Sequence, residues 1–112
     1  MNTYTTVVSD WADADLDRIY LRLLRVSLED ASIWQAGYEV ALSSLTSLPN
    51  RCPKARDGDS YPNAVVRQLY YGKYRLVFHV VEAAGDEAEG TVIILRVLYG
   101  AQSMEQKPQG EE

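Results

Sequence analysis

The chain has 112 residues, enough for one domain with a single hydrophobic core. Its net charge is −5, although residues 51–80 carry six basic and two acidic side chains. So small a cationic sector argues against general binding to nucleic acid backbones, which requires many phosphate contacts. No apolar run approaches the roughly 20 residues of a membrane span, and we expect no secretory signal. The single cysteine, Cys52, excludes an internal disulfide and indicates a reducing, cytoplasmic location.

The N-terminal half predicts one strand followed by two helices. Residues 3–9 are rich in β-forming side chains. The next segment has apolar residues at helical spacing, with Ser9 or Asp10 as its predicted cap. A second amphipathic stretch begins after Ser27 and ends before Pro49, so the two helices form an antiparallel hairpin. Gly37 lowers helix propensity within it, and we interpret it as a place where a neighbouring element comes close.

The C-terminal half predicts a long loop and three strands. Residues 49–63 contain three prolines and form the loop, a candidate functional segment. A hairpin follows with Gly72 and Lys73 as its type II′ turn, and the apolar run at 91–99 predicts a central strand. The predicted fold is α+β in two layers, with an N-terminal strand and an α-helical hairpin packed on a mainly antiparallel four-stranded sheet. One domain covers residues 1–102, and 103–112 are predicted to be a disordered C-terminal tail.

The register of the hairpin decides which face of the sheet carries Arg75. With a two-residue turn, Tyr70 lies opposite Arg75, and the apolar face of the hairpin packs on the helices. Arg75, Gln68 and Tyr70 then project away from the helices. The last strand returns antiparallel, which places Tyr99 near Arg75 as well. These side chains would line a shallow polar depression; the alternative is that Arg75 only solvates an open sheet face.

Two other reactive side chains have structural interpretations. His79 lies about 13 Å along the strand from Arg75 at about 3.3 Å per residue, too far for both to hold one phosphate. Cys52 is interpreted as a loop thiol in preference to a nucleophile. The sequence has no metal-ligand cluster and no glycine-rich phosphate loop, so we expect neither a metal nor a cofactor.

The segments GKYRLVFHV (72–80) and VIILRVLYGAQ (92–102) resemble RelE/ParE toxins, the toxic components of type II toxin–antitoxin modules. The resemblance covers nearly the whole chain to about Gln102, and RCPKA with VRQLYYGKYR is similar to a ParE-like subgroup. It implies the RelE/ParE-like fold and a cytoplasmic growth inhibitor of the plasmid-stabilisation type. It also implies a cognate antitoxin that neutralises the toxin in a hetero-oligomer, without a cofactor or a membrane.

The family that the chain resembles contains two activities. RelE-like members cut mRNA on the ribosome, whereas ParE-like members poison DNA gyrase. Val66 and Gln68 stand where RelE-like members carry lysines, which favours gyrase as the target. A ribosome-dependent endoribonuclease and an antitoxin-binding module without toxicity are the alternatives. Carried over by position, the resemblance gives catalytic roles, only in a nuclease, to Arg75 and Tyr99, and it matches Arg96 to an arginine of some members. The predicted binding residues are Gln68, Tyr70, Lys73 and Arg96.

Overall fold

A computed structural model describes residues 3–58, 64–85 and 89–104. Its regular elements are β1 (Tyr4–Val8), α1 (Asp10–Leu24), α2 (Leu28–Ser44), β2 (Val66–Tyr71), β3 (Tyr74–Val81) and β4 (Gly90–Tyr99). The strands form one sheet in the order β1-β4-β3-β2, in which only the β1–β4 pair is parallel. The predicted two-layer α+β fold is confirmed. Neither helix is long and apolar enough to cross a membrane.

Local hydrogen bonds explain where the two helices begin. The Ser9 hydroxyl accepts from the Ala12 amide at 3.2 Å, and the Ser27 hydroxyl accepts from the Asp30 amide at 2.9 Å. Each serine therefore satisfies one of the amides that the first helical turn leaves without a partner. Both predicted caps are confirmed.

The main core lies between the helical hairpin and one face of the sheet. Its side chains come from every layer of the fold and include Ile19, Tyr38, Leu45, Leu76, Phe78, Val92, Ile94 and Val97. At Gly37 a Cβ atom would lie 2.0 Å from the Tyr71 hydroxyl, which donates to the Trp34 carbonyl at 2.9 Å. The close approach predicted at Gly37 is confirmed, and β2 is the element that makes it.

The hairpin register is also as predicted, with Tyr70 opposite Arg75 and Gln68 opposite Val77. Gly72 takes a positive φ of 59°, as the first position of a type II′ turn requires. The sheet face that carries Arg75, however, is not open. Residues 55–58 and 100–104, hereafter the covering segments, lie over it.

The covering segments bury apolar side chains on that face. Ala55 and Met104 are 8% and 2% exposed and form a second core cluster with Val66, Val77 and Leu98. The first segment reaches the face by running along the β2 edge, where the Ala55 amide donates to the Val66 carbonyl at 2.8 Å. The expectation of an open face was wrong because these apolar side chains alternate with the polar ones and require a cover.

Packing therefore continues past the predicted domain boundary at residue 102. The Met104 amide donates to Asp57 at 2.9 Å, and its carbonyl accepts from Arg96 at 2.7 Å. The packed chain thus reaches at least residue 104. The rest of the predicted disordered tail, 105–112, lies outside the described residues, as do 59–63 of the predicted loop and 86–88 of the turn before β4.

Candidate functional site

Arg75, the central residue of the predicted site, is completely buried. Its guanidinium donates to both carboxylate oxygens of Asp57, at 3.0 and 2.8 Å. The same two terminal nitrogens donate to the Gln68 side chain at 2.9 Å and to the Gln102 carbonyl at 2.8 Å. Gln68 is itself 8% exposed. The two terminal nitrogens are thus fully engaged by the protein's own acceptors, and Nε is buried without a hydrogen-bond partner among the described residues.

Asp57 neutralises Arg75. This residue was not predicted from the sequence. The hydrogen bond from Arg75 lowers the pKa of Asp57 from 3.8 to about 2, and the Met104 amide acts in the same direction against the partial burial of the carboxyl. Because both effects favour the charged form, this carboxylate stays ionised at neutral pH. The Asp57–Arg75 pair therefore joins the two covering segments to β3.

Arg96, a predicted binding residue, is buried in a second ion pair at the edge of β4. It donates to the two Asp15 oxygens at 2.8 and 2.9 Å, and Asp15 also accepts from the Val97 amide at 3.0 Å. The Arg96 guanidinium lies 5.0 Å from the ring centre of Trp11. Because β1 pairs with β4 only as far as Ile94, α1 takes over this edge, and Asp15 satisfies the backbone that a strand would have satisfied.

Tyr99 does not lie beside Arg75. The residue opposite Arg75 on β4 is Leu98, and Tyr99 lies opposite Tyr74 on the face of the sheet that packs on the helices. The Tyr74 and Tyr99 rings meet edge to face, with their centres 5.5 Å apart. The expected grouping of Tyr99 with Arg75 was wrong because alternate residues of a strand project to opposite faces.

The remaining predicted residues come together at the turn end of the β2–β3 hairpin. Tyr70 and Tyr99 are 55% and 46% exposed, and Lys73 is exposed between them in the turn. Arg56, which sequence reasoning missed, donates to the Tyr70 hydroxyl at 3.4 Å and to the Gly100 carbonyl. We call Arg56, Tyr70, Lys73 and Tyr99 the hairpin-end surface. Arginine and tyrosine, which supply three of these four side chains, are enriched at protein interfaces.

The hairpin-end surface is held by the backbone. The Gly100 amide donates to the Lys73 carbonyl at 2.8 Å, which ties the end of β4 to the turn.

The described residues offer no metal site. Within 3–58, 64–85 and 89–104, no three His, Cys, Asp or Glu side chains form a group that could hold a metal ion.

A family model described as ParE toxin of type II toxin–antitoxin system, parDE, matches residues 7–104 of the chain. The chain belongs to this ParE toxin family. The match extends to Met104, so it includes both covering segments. The membership confirms the resemblance that the sequence segments around Arg75 and Arg96 predicted.

One solved structure similar to this ParE-family chain is the RelBE2 toxin–antitoxin complex from Mycobacterium tuberculosis. The two chains are 27% identical, and the match covers 87% of this chain and 98% of that chain with a TM-score of 0.47. A search of the curated proteins gave no match.

Proposed function

We propose that this ParE-family chain is a cytoplasmic toxin that inhibits DNA gyrase by binding it, and that a cognate antitoxin neutralises it. The observation that carries the choice of target is the burial of Arg75. An enzyme that cuts RNA without a metal stabilises the phosphate with donors that the substrate can reach. Arg75 has no exposed surface and is paired with Asp57 through two hydrogen bonds. These contacts support a structural role for Arg75 and a toxin that acts by protein binding.

The hairpin-end surface is the proposed contact with gyrase. Tyrosine and arginine are the side chains that most often dominate protein interfaces, because they combine a large contact area with hydrogen bonding. Tyr70 and Tyr99 leave the sheet on opposite faces, so they flank the turn that carries Lys73. A partner that covers the end of the hairpin would therefore contact all three side chains.

The helical hairpin is the proposed contact with the antitoxin. Several large apolar side chains on it are more than half exposed: Leu21, Val26, Leu28, Ile33 and Val40. Five exposed apolar side chains on two helices and the connection between them support a surface that a partner covers. An amphipathic segment of an antitoxin can bury them in the manner of a helix in a groove.

A supercoiling assay with purified gyrase and relaxed plasmid tests the proposal. We expect the wild-type chain to inhibit supercoiling and Lys73→Glu to weaken the inhibition at least tenfold, because reversal of a charge at an interface disfavours the complex. Lys54→Glu is the matched control, since Lys54 is also exposed but lies beside Arg67, away from the turn.

Three results would contradict the proposal in different ways. Full supercoiling at high molar excess of the chain removes gyrase as the target. Cleavage of ribosome-bound mRNA by the same preparation supports the endoribonuclease alternative, with Arg75 and Tyr99 as its predicted catalytic residues. A chain that affects neither process, yet forms a complex with the protein encoded by the adjacent reading frame, is an antitoxin-binding module without toxicity.

A further inference from the structure

A groove of about 430 Å³ lies between α1 and α2. Its lining includes apolar side chains from both helices, Leu16 and Leu42 among them, and three carboxylates. Asp13 and Asp17 come from α1, and Glu39 comes from α2. The groove thus combines apolar surface with a concentrated negative charge.

The three carboxylates form no ion pair with any residue that the structure describes. Neither ion pair formed among the described residues involves them, and Glu39 accepts only a hydrogen bond from the Gln35 amide at 3.1 Å. Asp13 and Asp17 are four residues apart on one helix, a spacing at which like charges repel each other. Within the described part of the chain, one groove therefore carries carboxylates on both walls without an ion-pair partner.

Tyr38 supplies an independent indication that the groove takes a ligand. It lines the groove and is 3% exposed, and its hydroxyl has no hydrogen-bond partner among the residues that the structure describes. Buried hydroxyl groups are normally hydrogen-bonded, so this one has unused donor and acceptor capacity. Burial, with the charges of Glu39 and Asp13, raises the pKa of Tyr38 to about 12. The hydroxyl is therefore protonated at neutral pH and lies within the field of the carboxylates.

We propose that this groove binds an arginine side chain of the antitoxin. The inference rests on the proposed antitoxin partnership and names the chemistry of one contact within it. A guanidinium neutralises the acidic cluster, and its five N–H donors match the carboxylates of Asp17 and Glu39, which line the groove from the two helices. The methylene stem covers Leu16 and Leu42. A lysine offers a single point of charge and serves fewer of these acceptors.

Affinity for the antitoxin tests the groove directly. The binding partner in this test is the protein encoded by the adjacent reading frame, titrated by calorimetry into the full chain. We expect Asp17→Asn/Glu39→Gln to weaken the complex at least tenfold. Glu82→Gln/Glu89→Gln removes the same charge at exposed positions between β3 and β4, outside the helical hairpin, and should change affinity less than twofold.

The melting temperature separates binding from folding. Because the substitutions Asp17→Asn and Glu39→Gln relieve repulsion in the free protein, the double variant should melt at the wild-type temperature or above. Equal affinity of wild type and both double variants for the partner overturns the groove inference and leaves the partnership standing. No complex with the wild-type chain overturns both.

A small-molecule probe tests whether the groove recognises a guanidinium in the absence of the antitoxin. N-acetyl-L-arginine amide should shift the backbone NMR signals of Asp17 and Glu39 in the wild-type chain, and the uncharged N-acetyl-L-citrulline amide should not. The shifts should disappear in Asp17→Asn/Glu39→Gln. Equal shifts with both probes, or none with either, would contradict recognition of a guanidinium.

Discussion

Two ion pairs between carboxylates and guanidinium groups hold the packed parts of this small domain together. Arg75 and Asp57 join the covering segments to β3, and Arg96 and Asp15 join α1 to β4. Removing one partner of such a pair leaves a buried charge without compensation. The two aspartates are therefore expected to matter for stability even though neither touches a ligand in the proposed function.

Replacing Asp15 with alanine should lower the free energy of unfolding by about 3–5 kcal/mol, since the buried Arg96 guanidinium would lose the carboxylate with which it is paired. Asp57→Ala should cost less, because the Asp57 side chain is 20% exposed and that of Asp15 is 0% exposed. Urea denaturation of both variants measures the difference. A larger loss of unfolding free energy in Asp57→Ala than in Asp15→Ala would show that the burial of the aspartate does not determine which substitution costs more.

The lowered pKa of Asp57 predicts how this pair depends on pH. Its pKa is about 2 in the folded chain against an ordinary value of 3.8, so the pair's contribution is complete above about pH 4 and is lost as the pH falls towards 2. Thermal melts of wild type and Asp57→Asn between pH 6 and pH 2 test this. The difference in melting temperature between wild type and Asp57→Asn should shrink below pH 4. A difference that stays constant over this range would contradict the lowered pKa of Asp57.

At the scale of the elements, local features of the sequence were enough to predict the helices and the register of the hairpin. Ser9 and Ser27 cap helices through contacts three residues away, and Gly72 is the residue that the turn requires. The covering segments could not be predicted in the same way. Two of their contacts use the backbone groups of Gln102 and Met104, and backbone groups carry no signature in the residue types.

Distance along the chain is the second reason why the site was only partly predicted. The parity of the hairpin correctly placed Arg75 away from the helices, but its carboxylate partner lies 18 residues earlier, and that of Arg96 lies 81 residues earlier. The periodicities of helices and strands relate only residues a few positions apart, so they do not reveal such pairs. Alternating apolar side chains at Val66 and Val77, on Arg75's own face, were the one signal that this face needed a cover.

The close contact between Gly37 of α2 and Tyr71 of β2 gives a prediction about how these two elements pack. Alanine normally stabilises a helix by about 1 kcal/mol relative to glycine. Gly37→Ala should instead destabilise the chain by about 1–3 kcal/mol, because the new methyl group displaces the Tyr71 ring. Chemical denaturation should show a smaller penalty when the substitution is made in a Tyr71→Phe background. Stabilisation by Gly37→Ala alone would contradict this packing.

At the scale of the whole molecule, one face of the sheet is covered by helices and part of the other by loop segments. The helices pack on one face, and residues 55–58 and 100–104 cover the part of the other that carries Arg75. The surfaces that we propose for partners are the hairpin-end surface and the helical hairpin with its acidic groove. They involve different parts of the chain, so binding of the target and of the antitoxin can be separated by substitution.

Induction of the chain in bacteria tests the central claim most directly, when plasmid supercoiling and mRNA integrity are followed in the same culture. We predict that supercoiling falls, or gyrase-linked DNA breaks accumulate, before any cut in mRNA is detected. Lys73→Glu should delay this loss, and Lys54→Glu should not. Cuts in ribosome-bound mRNA that precede any change in DNA would contradict a toxin that acts by binding gyrase.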